Sequence, residues 1–418
     1  MLDIKLIREN IEVVKKACQD KGVKIDVDRV AELDKTKREL ITEMEALKAE
    51  QNKISRGGTE NKEIFVQAKE IKNKLKEMEP ELKAVEDELA PLLLTLPNIP
   101  FEDVPVGKDD SENIVLRKVV HTPKFIFHKP KDYMELGTAL DLIDVDRAGK
   151  VSGSRFGYIK GDLALLEFAL IKLVTDTVKK EGFIPVIPPV IIKNQMARGT
   201  GYFEAADEKE AYYLPADDMY LVGTSEQSLI AMHADEVMNE NDLPIRYVGF
   251  STCFRREAGS YGKDTKGILR VHQFDKLEMV IYCKPEDSKK EHELLLKIEE
   301  KLMKTLGLPY QVINICTGDL GRPAAKKYDI EAWLPSENKY RETHSSSNCT
   351  DFQARRLNIR YKDKTGKVQF LHTLNGTAFA IGRILIMILE NYQQRDGSIK
   401  VPKALHKYCG FKKIEIKK

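Results

Sequence analysis

The longest regular pattern in the chain is an apolar repeat spaced alternately by three and four residues. It passes through Val30, Leu33, Leu40, Met44, Leu47 and Ile54, with Lys37 and Gln51 filling two of the steps, and resumes at Ile64, Ile71, Leu75, Met78, Leu82, Leu89 and Leu96. Between the two seams stands Arg56-Gly57-Gly58-Thr59, a natural reversal point. The pattern therefore predicts two long helices folded back as an antiparallel coiled-coil arm over about 27–97. At about 1.5 Å per residue, an arm of some thirty residues would project roughly 45 Å. Pro80 falls inside the second seam and predicts a kink. Ahead of the arm, residues 1–22 read as a single short amphipathic helix ending at Gly22.

Beyond the arm the rhythm changes. Pro97, Pro100, Pro105 and Gly107, followed by an acidic run, predict a linker at 101–118 between an N-terminal domain, 1–100, and a larger domain, 119–418. Asp162 can cap a helix whose stripe includes Leu163, Leu166, Leu170 and Leu173, and residues 183–192 read as a buried extended run. Segments 219–222, 245–254, 268–283, 310–316 and 367–373 read as strands separated by helices. Long loops join several neighbouring strands, which favours an antiparallel sheet in an α+β domain. Within 250–282, two strand-like runs flank a polar, glycine-rich loop. Period-2 alternation puts Arg255 and Glu257 on one face of the first strand and Phe274, Lys276 and Glu278 on one face of the second. Such a face is either solvated or a site that takes a base at one end and a carboxylate at the other, with Phe274 and Glu278 roughly 13 Å apart.

Composition narrows the classes. Lys and Arg number 68 against 66 Asp and Glu, a net charge of +2, so the chain as a whole does not announce a polyanionic partner. The six cysteines form no C-x-x-C pair, which points to free thiols in a reducing compartment. The first residues lack a signal-peptide core, and the apolar run 374–389 is too short for a bilayer and broken by Arg383, so a cytoplasmic protein without a membrane segment is expected.

Two nucleotide signatures are absent: the run 259–265 has the wrong spacing for a Walker A loop, and no G-x-G-x-x-G follows a strand. Arg383 is the most informative single residue. It is the one charge in an apolar helical stretch, 378–389, so its guanidinium requires either a carboxylate such as Glu342 or a ligand phosphate. Asn375-Gly376-Thr377 reads as the small polar approach to that helix. The run 340–349, with Glu342 and several hydroxyls, is either a polar loop or a set of hard oxygens able to hold Mg²⁺. The turn Gly223-Thr224-Ser225-Glu226 is similarly open.

Taken together, these stretches resemble the seryl-tRNA synthetases, class II aminoacyl-tRNA synthetases, over essentially the whole chain. The resemblance is carried by MLDIKLIREN, the paired heptads, KVSGSRFGYIKGDLALLEFAL, TCFRREAGSYGKDTKGILRVHQFDKLE, NCTDFQARRLNIRY and LNGTAFAIGRILIMILENYQ. It implies an antiparallel catalytic sheet surrounded by helices, preceded by a helical domain with a long arm. It implies that residues 182–192, including Pro189, build a homodimer interface, and that the arm grips the long variable arm of tRNA(Ser), leaving tRNA(Sec) open as a second substrate. By the same resemblance Arg255 clamps the α-phosphate and the serine carboxylate, Arg256 and Glu257 meet ATP, Phe274 stacks on adenine, and Arg383 faces the phosphates. Thr224, Ser225, Glu226, Glu278, Asn375 and Thr377 surround L-serine, with Glu278 accepting from its hydroxyl. Glu342, Thr343, His344 and Ser345 match the ATP contacts, with Glu342 and Ser345 on Mg²⁺. His344 departs from the family, which usually has Ser there.

The implied reaction is adenylation of serine by ATP followed by transfer to the terminal ribose of tRNA. Two other readings remain: a lapsed paralogue that binds RNA without catalysis, against which intact Arg255, Glu257, Glu278 and Arg383 argue, and a ligase that adenylates an amino acid for a carrier protein, for which the arm would have no evident use.

Overall fold

The structure, a computed structural model, describes residues 1–56, 62–119, 125, 129–202, 209–258 and 267–415. The glycine turn expected at 57–59 and the glycine-rich loop 259–265 lie outside these residues. The chain divides into two compact units, Met1–Ile99 and Pro100–Lys418.

In the first unit the predicted hairpin is two helices, Val27–Arg56 and Lys62–Thr95. Leu40, Met44, Ile71, Leu75 and Met78 form the buried seam between them. Ion pairs Arg29–Glu88, Lys37–Glu86 and Lys74–Glu43, at 2.6–2.8 Å, join the helices in opposite order along their lengths and so fix an antiparallel pairing. All three lie at the surface, where water screens them, so the apolar seam does most of the holding. Lys37 sits at a seam position because its amine reaches past the seam to Glu86. The second helix runs unbroken through Pro80 and Pro91. Both prolines are exposed, where water can take the carbonyl each one leaves unbonded. The single helix expected over 1–22 is instead two, Ile4–Glu9 and Ile11–Asp20, because the backbone leaves helical geometry at Asn10.

The second unit is built on an eight-stranded sheet, the largest among the described residues, whose strands we number in chain order. They are β1 (Ile114–Val119), β2 (Ile184–Val186), β3 (Ile245–Phe254), β4 (Gln273–Cys283), β5 (Tyr310–Asn314), β6 (Lys326–Leu334), β7 (Lys339–Asn348) and β8 (His372–Ala380). The spatial order is β1-β5-β6-β7-β8-β4-β3-β2. Every pairing is antiparallel except β2 with β3, as an α+β fold requires.

The two sheet faces differ by strand alternation. On β4, Leu277, Met279 and Ile281 face backward into a core closed by helices Gly161–Val178, Ser288–Leu306 and Ile381–Asn391. Phe274, Lys276 and Glu278 take the other phase and face forward. Each fully buried aliphatic or aromatic side chain in that core contributes roughly 1.5–3 kcal/mol, which holds the sheet rigid under the site.

Four local expectations are corrected here. The segment 101–118 is no free linker: Val104 packs with Ile313 and Ile315, Phe101 N donates to Ala325 O at 2.9 Å, and β1 pairs with β5. Asp162 lies in the first turn of its helix, with Lys160 at the cap. The run 183–192 is not buried throughout: Phe183 and Ile192 are, but Ile184 is 54% and Ile187 86% exposed, since β2 is the last strand of the sheet. Finally, residues 375–377 do not lead into the helix. They sit inside β8, and the helix starts at Ile381. The apolar run across 374–389 thus joins a buried strand to a buried helix, two elements that hydropathy alone cannot separate.

Candidate active site

The forward face carries two clusters. The first is closed. Glu278 lies opposite Thr377 in the β4–β8 ladder, beside a one-residue bulge that turns Thr377 forward while Phe379 returns to the core. Thr377 Oγ1 donates to Glu278 Oε2 at 3.2 Å, and Lys276 Nζ stands 2.6 Å from the same oxygen. Lys276 and Glu278 are both buried, so each charge depends on the other for compensation.

Glu226 approaches from the short helix Ser225–Ala231, whose N-terminal Thr224 hydroxyl accepts from Glu226 N at 3.3 Å. Its carboxyl accepts from Tyr202 Oη (3.1 Å), Gln353 Nε2 (2.9 Å) and Asn375 Nδ2 (3.0 Å). All three donors are neutral. Burial, reinforced by the nearby Glu278 charge, pushes the Glu226 carboxyl up to about 7, although Gln353, Lys276 and Tyr202 work the other way. A cation arriving here would meet a carboxyl whose hydrogen-bond donors among the described residues are all neutral.

The second cluster is open. Arg255 is exposed at the end of β3, its Nε donating to Gly223 O at 3.1 Å and its guanidinium 5.3 Å from the centroid of the Phe274 ring. Arg383, in the first turn of its helix, donates to Glu342 O at 2.9 Å and pairs with the Glu342 carboxylate at 3.3 Å. The buried-charge question is thereby answered: the guanidinium is one-quarter exposed and has a carboxylate partner. Desolvation would raise the Glu342 carboxyl, but the Arg383, Lys327 and Arg255 cations outweigh it and hold the group well below its ordinary range.

The sheet register explains why Glu342 and Ser345 share this face although three positions apart. Between β6 and β7, Ile330 pairs with His344 and Glu331 with Glu342, so Thr343 is an inserted residue that shifts the phase of alternation. Ser345 lies opposite Asp329 and hydrogen-bonds it. His344 is carried to the back instead, its ring 5.6 Å from that of Phe379 and its Nδ1 2.8 Å from Thr343 Oγ1. Burial lowers the imidazole to about 3, so it is neutral at physiological pH.

Several predicted site residues have partners of their own within the protein. Thr343 and His344 are both buried, the first bonding Ile330 O. Ser225 Oγ donates to Gly249 O, a helix-to-strand contact. Arg256 lies over the Tyr212 ring. Arg255 and Glu257 do not continue β3, which ends at Phe254. Glu257 has φ 51°, and its carboxylate pairs with Arg270 at 3.3 Å. Alternation fails there because the backbone has already left the strand. Conversely, Lys276, Tyr202 and Gln353, which the sequence did not single out for a site, contact Glu278 or Glu226 directly. The phase of Lys276 on β4 was the available signal; Tyr202 and Gln353 come from 24 and 127 positions away from Glu226, with no local mark.

A largely antiparallel sheet with one face packed by helices, a basic residue leaving β3 beside an aromatic on β4, and an arginine opening the helix after β8 together define the class II aminoacyl-tRNA synthetase core. Residues 212–392 match the tRNA synthetase class II core domain (G, H, P, S and T), and residues 1–100 match the seryl-tRNA synthetase N-terminal domain. The chain is 47% identical over 426 residues to a serine–tRNA ligase of Dictyoglomus thermophilum, covering 100% of both. It is also similar to the crystal structure of seryl-tRNA synthetase from Pyrococcus horikoshii complexed with ATP (TM-score 0.94, 42% identity, 100% of both chains). A second similar structure is the cytoplasmic serine–tRNA ligase of Naegleria fowleri in complex with AMP (0.89, 34%, 100% of this chain and 99% of that one). The chain belongs to the seryl-tRNA synthetase family, and its reaction is the ATP-dependent joining of serine to tRNA.

Proposed function

We propose that the closed cluster binds serine and the open cluster binds ATP. The observation that carries the assignment is the closeness of two buried carboxyls in different states: Glu226, held by neutral donors, and Glu278, ion-paired with Lys276. Glu226, with Thr224 beside it, receives the substrate ammonium. Glu278, fixed by Lys276 and Thr377, accepts from the serine hydroxyl, and Asn375 holds Glu226 in place. Alanine would leave the Glu278 carboxylate without that donor.

At the open end, the adenine stacks on Phe274 and Arg255 bridges the α-phosphate and the serine carboxylate. A carboxylate oxygen attacks the α-phosphorus while the bond to the bridging oxygen breaks, giving seryl-adenylate and pyrophosphate. Arg255 and Arg383 stabilise the charge that spreads over the phosphate oxygens. The terminal ribose hydroxyl of tRNA then attacks the seryl carbonyl and AMP leaves. Among the described residues no three His, Cys, Asp or Glu side chains stand together as a metal cage. Glu342, held ionised, and the Ser345 hydroxyl are nevertheless hard oxygen donors suited to a Mg²⁺ whose other ligands are phosphates. Such an ion would add charge neutralisation at the β- and γ-phosphates.

Dimerisation fits the same reading. Ile184 on the edge strand, Ile187 just beyond it, and Leu165 and Phe168 on the preceding helix are apolar and exposed, side chains that a second copy would cover. The helical hairpin is assigned to tRNA(Ser), and a cytoplasmic setting agrees with free cysteines and with no described helix long and apolar enough to cross a membrane.

ATP–pyrophosphate exchange with each amino acid in turn, beside charging of serine tRNA, tests the assignment. Serine-dependent exchange with charging is expected. Exchange without charging would favour the carrier-protein ligase, and none with any amino acid the lapsed paralogue. Deleting residues 30–95 should leave exchange intact and remove charging; full charging by the truncated chain would refute the role of the hairpin.

A further inference from the structure

Asn375 and Thr377 face the proposed serine pocket, so Gly376 between them faces the back of the sheet. A Cβ added to Gly376 would lie 2.9 Å from Glu299 Oε1 and 3.3 Å from Ser346 Cβ. The notch left by the glycine is thus filled by the carboxyl of Glu299, which reaches it from the Ser288–Leu306 helix and is 0% exposed. Glu299 Oε2 accepts from Ser346 Oγ at 3.3 Å, and Ser346 is the residue paired with Gly376 across the β7–β8 ladder. Glu299 Oε1 has no hydrogen-bond partner among the described residues. Burial pushes this carboxyl well up from its ordinary range. Glu278 on β4, Asp329 on β6 and Glu300 on its own helix add to that shift, and only the Ser346 hydroxyl opposes it. The neutral acid is the form that such a dry position accepts.

We propose that Glu299 is a positioning residue of the serine site, filling the Gly376 notch from behind the sheet and so fixing how far Asn375 and Thr377 project towards Glu226 and Glu278. The inference rests on the serine pocket proposed above. Packed interiors transmit small changes in volume, and a displacement of β8 well under 1 Å is enough to spoil two hydrogen bonds in the pocket.

The test is steady-state kinetics on the full chain with E299A, E299Q, G376A and the double variant G376A/E299A. E299A should raise the KM for serine about tenfold, with the KM for ATP unmoved. E299Q, which keeps the shape of the neutral acid, should restore it. G376A should also raise the serine KM, but less so in the E299A background, because the new methyl group takes the vacated space. Additive effects in the pair, an E299Q variant as poor as E299A, or parallel losses for serine and ATP would each overturn the proposal. Glu278→Ala, run alongside, separates the two levels. If it leaves serine selection intact, the pocket assignment falls and this inference with it. If it abolishes selection while E299A leaves the serine KM alone, only the role of Glu299 falls.

Discussion

The two ends of the catalytic face handle charge in opposite ways. At the proposed serine end Lys276, Glu278 and Glu226 are all buried, and their partners come from the sheet, from two short helices and from Tyr202. At the proposed nucleotide end Arg255 is exposed, and Glu342 is half-exposed against a one-quarter-exposed Arg383. A small polar substrate that must be told from its near neighbours calls for a dry pocket, where an unmade hydrogen bond is costly. A triphosphate carries enough charge to be held by exposed cations, and pyrophosphate must leave again, so water access there is useful. Selection and turnover are thereby assigned to different parts of one rigid sheet.

The contrast can be broken most directly at Glu278. Glu278→Ala is expected to lower serine-dependent pyrophosphate exchange by about 10³-fold or more, with circular dichroism reporting an intact fold. Unchanged serine-dependent exchange in this variant would remove the serine pocket from this end. Next in size, Arg255→Ala should lower kcat for exchange by about 10²–10³-fold while leaving discrimination against alanine in place; a variant that lost selectivity as well would show that the two ends are not separable.

A smaller effect concerns pH. The free Glu226 carboxyl sits at about 7, raised by burial, and the ammonium of serine requires it ionised. Binding is therefore strongest above that pH and weakens below it, by about fivefold between pH 7 and pH 6 for a single proton. The KM for ATP should not follow, and Glu226→Gln should flatten the serine profile; a wild-type serine KM independent of pH from 6 to 8 would contradict the raised Glu226 carboxyl. Smallest of all, raising ionic strength from about 0.05 to 0.5 M should weaken ATP severalfold and leave serine nearly untouched, since salt screens exposed charges and hardly reaches buried ones. Equal sensitivity of both KM values would mean that the serine end is wetter than its burial implies.

Legibility from sequence followed the same division. The forward phase of Phe274, Lys276 and Glu278 was readable because β4 is a regular eleven-residue strand. The grouping of Glu342 with Ser345, three positions apart, was not, because it depends on a bulge that shifts the alternation by one residue. Glu257 escaped for a related reason, the backbone having turned to positive φ just beyond the strand. Thr343 and His344 share a polar stretch with the forward-facing Glu342 and Ser345, and only the register of β7 against β6 sends them into the core.

By itself the sequence determined the periodicities: a heptad hairpin, an antiparallel sheet of alternating strands, the resemblance to the seryl-tRNA synthetases, and the residue types that could carry adenylation. These depend on residue spacing within one element, which is local. The tertiary structure decided what depends on the pairing of distant segments. It placed Tyr202, Gln353 and Asn375 around Glu226, compensated Glu278 with Lys276, paired Arg383 with Glu342, and set Glu299 behind Gly376. Protonation and burial are properties of those assembled neighbourhoods, because the dielectric and the partner charges that fix them come from residues far apart in the chain.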